Sequence, residues 1–242
     1  MTNHFQYIFN HVPKKKCYDK ISNLERTIAD NLYNRAAICD KTAKALEFVI
    51  PQGTTGNNVM KALMVQHFPY TWYIGEWYSV TKTGDKTRII TLNMKTFRKL
   101  YKINCEVVTA IREIVSKMPT NLSGFGKATW LAEYISSSTK YAYEDDERDH
   151  QAWDCLVGHE TICCGFAEGY KALCDYCGIR CDCLTSYDHE WNRVYINGKW
   201  YHVDTCWLAT GCSKDIYLLT PKNVFYKNHM MFEEKCPIWK LK

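Results

Sequence analysis

The sequence predicts a mixed α+β chain. Three observations carry that expectation: a long helical stripe over residues 95–118, a second helical pattern opening at Cys163, and two strand-like runs meeting at Asn197-Gly198. The expected organisation is a mostly helical N-terminal region with a β-hairpin over residues 1–119, followed by a second region over residues 120–242.

From Tyr18 to Phe48 the apolar residues Ile21, Leu24, Ile28, Leu32, Ile38, Ala45 and Phe48 fall near helical spacing and predict one or two helices. Pro51-Gln-Gly-Thr-Thr-Gly interrupts them, and Asn57 or Asn58 is the expected cap of a short helix reaching His67. Residues 71–80 and 86–92 read as strands around Lys82-Thr-Gly-Asp. Leu100, Ile103, Val107, Ile111, Ile114 and Val115 share one stripe of the longest helix, and Pro119 stops it. A further helix is expected over residues 127–138. Phe166, Ala167, Tyr170, Leu173, Cys174 and Cys177 share a stripe of the helix that opens at Cys163, with Thr161 able to cap its start and Gly178 a natural stop.

Composition excludes several classes. With 242 residues, 46% hydrophobic, 12 Gly and 6 Pro, the chain is neither collagen-like nor low-complexity. No run approaches the about 18 apolar residues of a membrane-spanning helix. The first ten residues lack a basic segment leading into an apolar core, so the expectation is a cytoplasmic protein. A net charge of +5 is too mild and dispersed to mark a nucleic-acid partner. The 13 cysteines read as reduced thiols, most of them small buried apolar groups. The acidic run Glu144-Asp-Asp-Glu-Arg-Asp149 lacks the ligand alternation of a calcium loop, and Lys14-Lys-Lys16 reads as a solvated charge run. Gly124-Phe-Gly-Lys-Ala-Thr129 fails as a phosphate loop, because Asn121 stands where the first glycine is needed. Asn121-Leu-Ser123 is a glycosylation sequon with no export route in this reading.

The chemistry begins at Cys163. A thiol in the first turn of a helix faces the positive end of the dipole and unpaired backbone N–H groups, which favour thiolate and can receive an oxyanion. Gly165 lets another element approach that turn. Downstream, residues 189–196 and 199–204 flank Asn197-Gly198, the strongest two-residue hairpin signal. Pairing Ile196 with Lys199 puts His189 opposite Cys206 and makes Asp204 its diagonal neighbour, about 7–8 Å away at the backbone. Val194, Ile196, Tyr201 and Val203 form the other, core-facing side. A nucleophilic Cys163, a proton-exchanging His189 and an orienting Asp204 are the parts of acyl transfer.

Cys163-Cys-Gly-Phe-Ala, His189-Glu-Trp-Asn and Trp200-Tyr-His-Val-Asp204-Thr-Cys-Trp207 together resemble the transglutaminase-like superfamily in its bacterial branch. That family reads Cys-x-Gly-Tyr-Ala, His-Ala-Trp-Asn and Trp-(Tyr/Phe)-x-Val-Asp-x-Thr-Trp in the same order. Phe166, Glu190 and Cys206 depart from the pattern, and the resemblance covers about residues 120–220. It implies a papain-like core in which a helix carrying Cys163 packs on an antiparallel sheet carrying His189 and Asp204. It also implies a cysteine hydrolase or acyl transferase acting on protein or peptide amide bonds. No cofactor and no metal are expected, and charge and composition lead to the expectation of no nucleic-acid and no membrane partner. Hydrolysis is the preferred reading. Transglutaminase, peptide N-glycanase-like amidase and a non-catalytic binding module are the alternatives.

Several residues keep second readings. Cys164 is a rival nucleophile or a cleft wall, and His202, on the same face as Asp204, is the rival to His189. Trp153, Gly165, Trp191 and Trp207 are substrate-cleft candidates, although the tryptophans also suit plain packing. His159 reads as a loop residue, His229 as a surface or hydrogen-bonded one, and Asn192 as a brace of the hairpin. Cys174, Cys177, Cys181 and Cys183 invite a zinc reading, but a mid-helix pair and a strand pair gather poorly into a tetrahedron, so core thiols are expected.

Overall fold

The computed structural model describes residues 21–68, 78–83, 87–143, 152–186 and 189–229. Two units divide between Asn104 and Cys105. The architecture is α+β, as expected. The expected readings at residues 14–16, 71–77, 84–86 and 144–149 fall outside the described residues.

In the first unit, helix α1 (Asn23–Ile38) opens on a capping box, with the Ser22 hydroxyl accepting the Glu25 N–H and the Glu25 carboxylate accepting the Ser22 N–H. The expectation of helix as far as Phe48 is corrected. Asp40 turns the chain by accepting the Thr42 N–H, and Ala45–Ile50 is strand β1. Its exposure alternates residue by residue and ends on buried Ile50, the period of two that a one-sided strand requires. Helix α2 (Gly56–His67) is capped by Thr55, not by Asn57 or Asn58, and Glu25 Oε1 accepts the Thr55 N–H and the Asn58 amide. Strands β2 (Tyr78–Thr83) and β3 (Thr87–Asn93) complete an antiparallel sheet in the order β1-β3-β2. Helix α3 (Met94–Ser116) follows, and the division between the units lies within it.

In the second unit, α4 (Gly124–Ser138) is capped by Ser123, whose hydroxyl accepts the Gly126 N–H. It therefore begins three residues earlier than the sequence pattern suggests. The short strand β4 (Lys140–Tyr141) pairs in parallel with β5 (Glu160–Thr161), and a π-helical turn (Asp154–Gly158) precedes β5. Helix α5 (Cys163–Tyr176) comes next and ends where Gly178 takes a φ of 71°. An antiparallel sheet β6 (Arg180–Thr185), β7 (Glu190–Ile196) and β8 (Lys199–Val203) then forms in sequence order. Short helices α6 (Thr205–Ala209), α7 (Lys214–Tyr217) and α8 (Lys222–Asn228) close the described chain.

The hairpin register is the expected one. Ile196 pairs with Lys199, and the ladder continues back to Asn192 with Val203. Asn197 and Gly198 both take positive φ, 50° and 80°, as a type I′ turn demands. The two faces of the sheet divide by strand period. On one, the Asn192 amide donates to the Ala167 carbonyl of α5 at 3.0 Å, and the Cys183 thiol lies 3.6 Å from the same oxygen. On the other, Leu184 and Trp191 pack with Tyr217 and Phe225 in a buried cluster. Asn192 thus braces α5 against the sheet.

A buried ion pair also fastens α5. Lys171 donates to Asp175 at 2.7 and 3.0 Å, one turn along the helix, and to the Cys181 carbonyl of β6 at 3.2 Å. Burial would lower the Lys171 ammonium, but Asp175 outweighs it and raises it. Removing one partner of such a pair strands a buried charge, at a cost of about 3–5 kcal/mol, whereas replacing both is far milder. Asp175→Leu is therefore expected to destabilise the protein severely, and Lys171→Met/Asp175→Leu to recover most of the loss. Urea unfolding checks this, and a double variant no more stable than Asp175→Leu would contradict it.

Candidate active site

The site grows from the end of the hairpin. The strand ladder stops at Val203, so the expected pairing of His189 with Cys206 does not form. Asp204 instead leaves the strand, its N–H donating to the Tyr217 carbonyl, and becomes the N-cap of α6. Its Oδ1 accepts the Trp207 N–H at 2.9 Å. That cap holds the carboxylate in one place, and Oδ2 lies 2.6 Å from His189 Nε2. The imidazole and carboxylate meet as expected, through a helix cap rather than through a continued ladder.

Cys163 is the first residue of α5, and its sulfur is near enough to the His189 ring to help raise the imidazole. With Nε2 committed to Asp204, Nδ1 is the ring nitrogen left for another partner. The N-cap of α5 is Ile162, so Thr161 is not the cap. The β4–β5 pairing holds Thr161 one residue too early, and it packs instead on Gly165. A Cβ at Gly165 would stand only 2.0 Å from Thr161 Oγ1. Because Ile162 offers no side-chain acceptor, the first-turn N–H groups of α5 are left for backbone, solvent or a bound group.

Electrostatics separates the neighbouring thiols. Burial, then the charges of Glu190 and Cys163, push the Cys164 thiol up. Burial, then Asp204 and Cys163, push Cys206 up as well. Both are held protonated near neutral pH, and of the three Cys163 is the one that helps to raise the imidazole. Burial alone would lower His189, but the hydrogen bonds to Asp204 and Cys163 outweigh it and raise the imidazole to about 10. Burial alone would raise Asp204, yet the bonds from His189, His229 and the Trp207 amide lower it.

Two further histidines take definite places: His202 stands apart from Asp204, and His229 meets the hydrogen-bonded half of its reading. His202 is buried on β8 with its ring against Phe225 and Tyr226, while the side-chain partners of Asp204 Oδ2 are His189 and His229. His229, read from sequence as a surface or hydrogen-bonded residue, is 1% exposed, with Nε2 3.1 Å from Asp204 Oδ2. Its C-cap position on α8, 25 residues from Asp204, carries no local sequence signal. His159 is an exposed residue at φ 57° after the π-helical turn.

The cleft candidates fall into different roles. Trp153 Nε1 donates to Glu106 Oε2 at 2.8 Å, which fixes the orientation of its ring. Trp191 is a core residue, 1% exposed, whose ring lies parallel to that of His189 with centroids 6.0 Å apart. Trp207 is half-exposed, 5.4 Å from the His189 ring and stacked on His229 at 4.6 Å. Gly165 serves the close approach of Thr161, and Cys164 follows Cys163 in the first turn of α5. The Cys174 and Cys181 thiols are both buried, and burial and then Cys174 raise Cys181.

The His189–Asp204 pair makes stability depend on pH. The raised His189 contributes fully below its unfolded value of 6.5, and its contribution is lost as pH rises through about 10. The lowered Asp204 contributes above its unfolded value of 3.8, and its contribution is lost as pH falls through the folded value. The stability difference between wild type and His189→Gln is therefore expected to be largest between pH 3.8 and 6.5 and to shrink towards pH 10. Urea titrations across that range measure it, and a difference that grew between pH 7 and 10 would contradict the sign.

Residues 109–205 match the family model of the transglutaminase-like superfamily. Mouse kyphoscoliosis peptidase is 27% identical over 126 residues, covering 41% of this chain and 19% of that protein. Its human counterpart is 25% identical over 173 residues, covering 58% of this chain and 26% of that protein. The chain thus spans about a quarter or less of the length of these relatives. Among solved structures, a chain described as a TGase covers 56% of this chain and 45% of its own at 15% identity and a TM-score of 0.36. A proposed cysteine protease from Cytophaga hutchinsonii covers 69% and 68% at 13% identity and a TM-score of 0.34. Over residues 109–205, a span that contains Cys163, His189 and Asp204, the chain is similar to the transglutaminase-like superfamily.

Proposed function

We propose that this domain hydrolyses amide bonds in proteins or peptides through a thioester formed on Cys163. The observation that carries the reading is the position of His189, with Nε2 2.6 Å from a fully buried Asp204 carboxylate and the ring beside Cys163, which helps to raise it. A carboxylate in that place fixes the ring's orientation and favours imidazolium, so the proton of Cys163 has a place to go.

The Cys163 sulfur adds to the amide carbonyl carbon, forming the C–S bond while the carbonyl electron pair moves onto oxygen. The first-turn N–H groups of α5 receive that oxyanion. As the C–N bond breaks, His189 gives its proton to the departing amine, and the acyl group stays on sulfur as a thioester. Water then attacks the thioester with His189 taking its proton. The C–S bond breaks, a carboxylic acid leaves, and the proton shared between Cys163 and His189 is restored. The peptidase name of the mouse and human relatives supports water rather than an amine as the second substrate. The neutral state of Cys164 and Cys206 supports Cys163 as the attacking thiol.

Incubation with a peptide mixture in H2(18)O, with a labelled primary amine present, tests the proposal by mass spectrometry. New carboxylates carrying one heavy oxygen are expected, with the rate falling by at least about a thousandfold in Cys163→Ala. Amine incorporation faster than hydrolysis would replace the hydrolytic reading with transamidation. No product of either kind, together with Cys163 alkylation by iodoacetamide no faster than an ordinary thiol at pH 6, would leave a non-catalytic binding module.

A further inference from the structure

We propose that His229 is a positioning residue: its imidazole shares the Asp204 carboxylate with His189 and holds the oxygen against which His189 works. The proposal rests on the reading of Cys163, His189 and Asp204 as the reacting set, and goes beyond it by adding a fourth side chain that touches neither the thiol nor a substrate.

Asp204 accepts three hydrogen bonds, one on Oδ1 from the Trp207 N–H at 2.9 Å and two on Oδ2, from His189 Nε2 at 2.6 Å and His229 Nε2 at 3.1 Å. An ionised carboxylate only accepts, so both Nε2 atoms carry protons and two imidazoles compete for one oxygen. The tautomer of His229 is thereby set, and its Nδ1 is buried without a partner among the described residues. Burying a polar nitrogen unpaired costs about 1–3 kcal/mol. The box around the ring is aromatic: Phe225 and Trp207 stack on it at 4.5 and 4.6 Å, and Trp191 lies at 4.8 Å. A phenyl ring would fill that box without the cost. What an imidazole adds there is the Nε2–H donor aimed at Asp204.

Sharing has a consequence for the neighbour. Charge drawn towards His229 is charge that does not hold the His189 imidazolium, so the His189 proton stays transferable while the carboxylate stays fixed. Without the second donor, Oδ2 serves His189 alone and binds its cationic form more tightly. Among the described residues, the titratable groups that bear on Asp204 and His189 are Cys163 from α5, Cys206 from α6, Tyr217 from α7 and His229 itself. Burial holds Cys206 and Tyr217 neutral, which leaves His229 as the donor able to compete.

The test alkylates Cys163 with iodoacetamide from pH 4 to 11 in wild type, His229→Phe and His229→Gln, reading the rate at Cys163 by peptide mass mapping. Phe keeps the ring and loses the donor, whereas Gln keeps an amide donor. The alkaline limb of the profile is expected to move up by about 0.5 pH unit or more in His229→Phe, and to return towards wild type in His229→Gln. A His229→Phe profile superimposed on wild type would overturn the proposal, as would equal shifts in both variants, which mark a packing role. Should His229→Phe fail to fold, nitrogen NMR of histidine-labelled wild type decides: an Nε2–H tautomer at His229 upholds the proposal and an Nδ1–H tautomer overturns it. Wild-type Cys163 reacting like a free thiol would instead sink the reading of the reacting set beneath it, and the proposal with it.

Discussion

A carboxylate with no solvent exposure is expensive unless every lone pair it presents is answered, and Asp204 is such a group. Its answer comes from three directions: the amide of Trp207 three residues on, His189 at the head of the hairpin, and His229 at the end of α8. Each donor belongs to a different element, so satisfying one buried charge ties the hairpin, the α6 turn and the last described helix together. The same requirement orients His189, because its ring must bring Nε2 to Oδ2, and it does so beside Cys163. The proposed chemistry is thus built on a demand of folding: the geometry that stabilises Asp204 is the geometry that arms the thiol.

Helix α5 supplies the other half of the arrangement, and its placement is over-determined. Asn192 and Lys171 fasten it to the sheet by hydrogen bonds to the Ala167 and Cys181 carbonyls, and the bare Cα of Gly165 lets Thr161 press on its first turn. Among the thiols near the helix tip, burial and neighbouring charge keep Cys164 and Cys206 in the inert neutral form. Cys155, packed under the same helix, is likewise pushed up to about 12 by burial. Burial thus keeps Cys155, Cys164 and Cys206 in the neutral, poorly nucleophilic form.

Legibility from sequence followed the range of the interactions involved. The hairpin register could be read because Asn197-Gly198 admits positive φ at both turn positions, and such a turn sets pairing for the residues beside it. Extending that ladder to His189 and Asp204 put the right side chains together for a reason the structure replaces, since Asp204 leaves the strand to cap α6. Strand β1 was misread as helix because Ala45 and Phe48 fit a helical spacing as well as an alternating one, and pairing with β3 decides between them. The early start of α4 at Gly124 follows from the Ser123 cap, a local signal that the apolar pattern overrode. Nothing local marks His229 or the Trp153–Glu106 bond, whose partners are separated by 25 and 47 residues and meet only after the sheet and helices have packed.

The central claim is that Asp204 holds His189 as an imidazolium beside the Cys163 sulfur. Nitrogen NMR of histidine-labelled protein, followed from pH 5 to 11 in wild type and in Asp204→Asn, observes that proton directly. The account predicts that His189 stays protonated on both ring nitrogens through neutral pH, titrates near 10, and falls markedly once the carboxylate is gone. A wild-type His189 that titrates near 6.5, the value of an isolated imidazole, or one indifferent to the loss of Asp204, would contradict it.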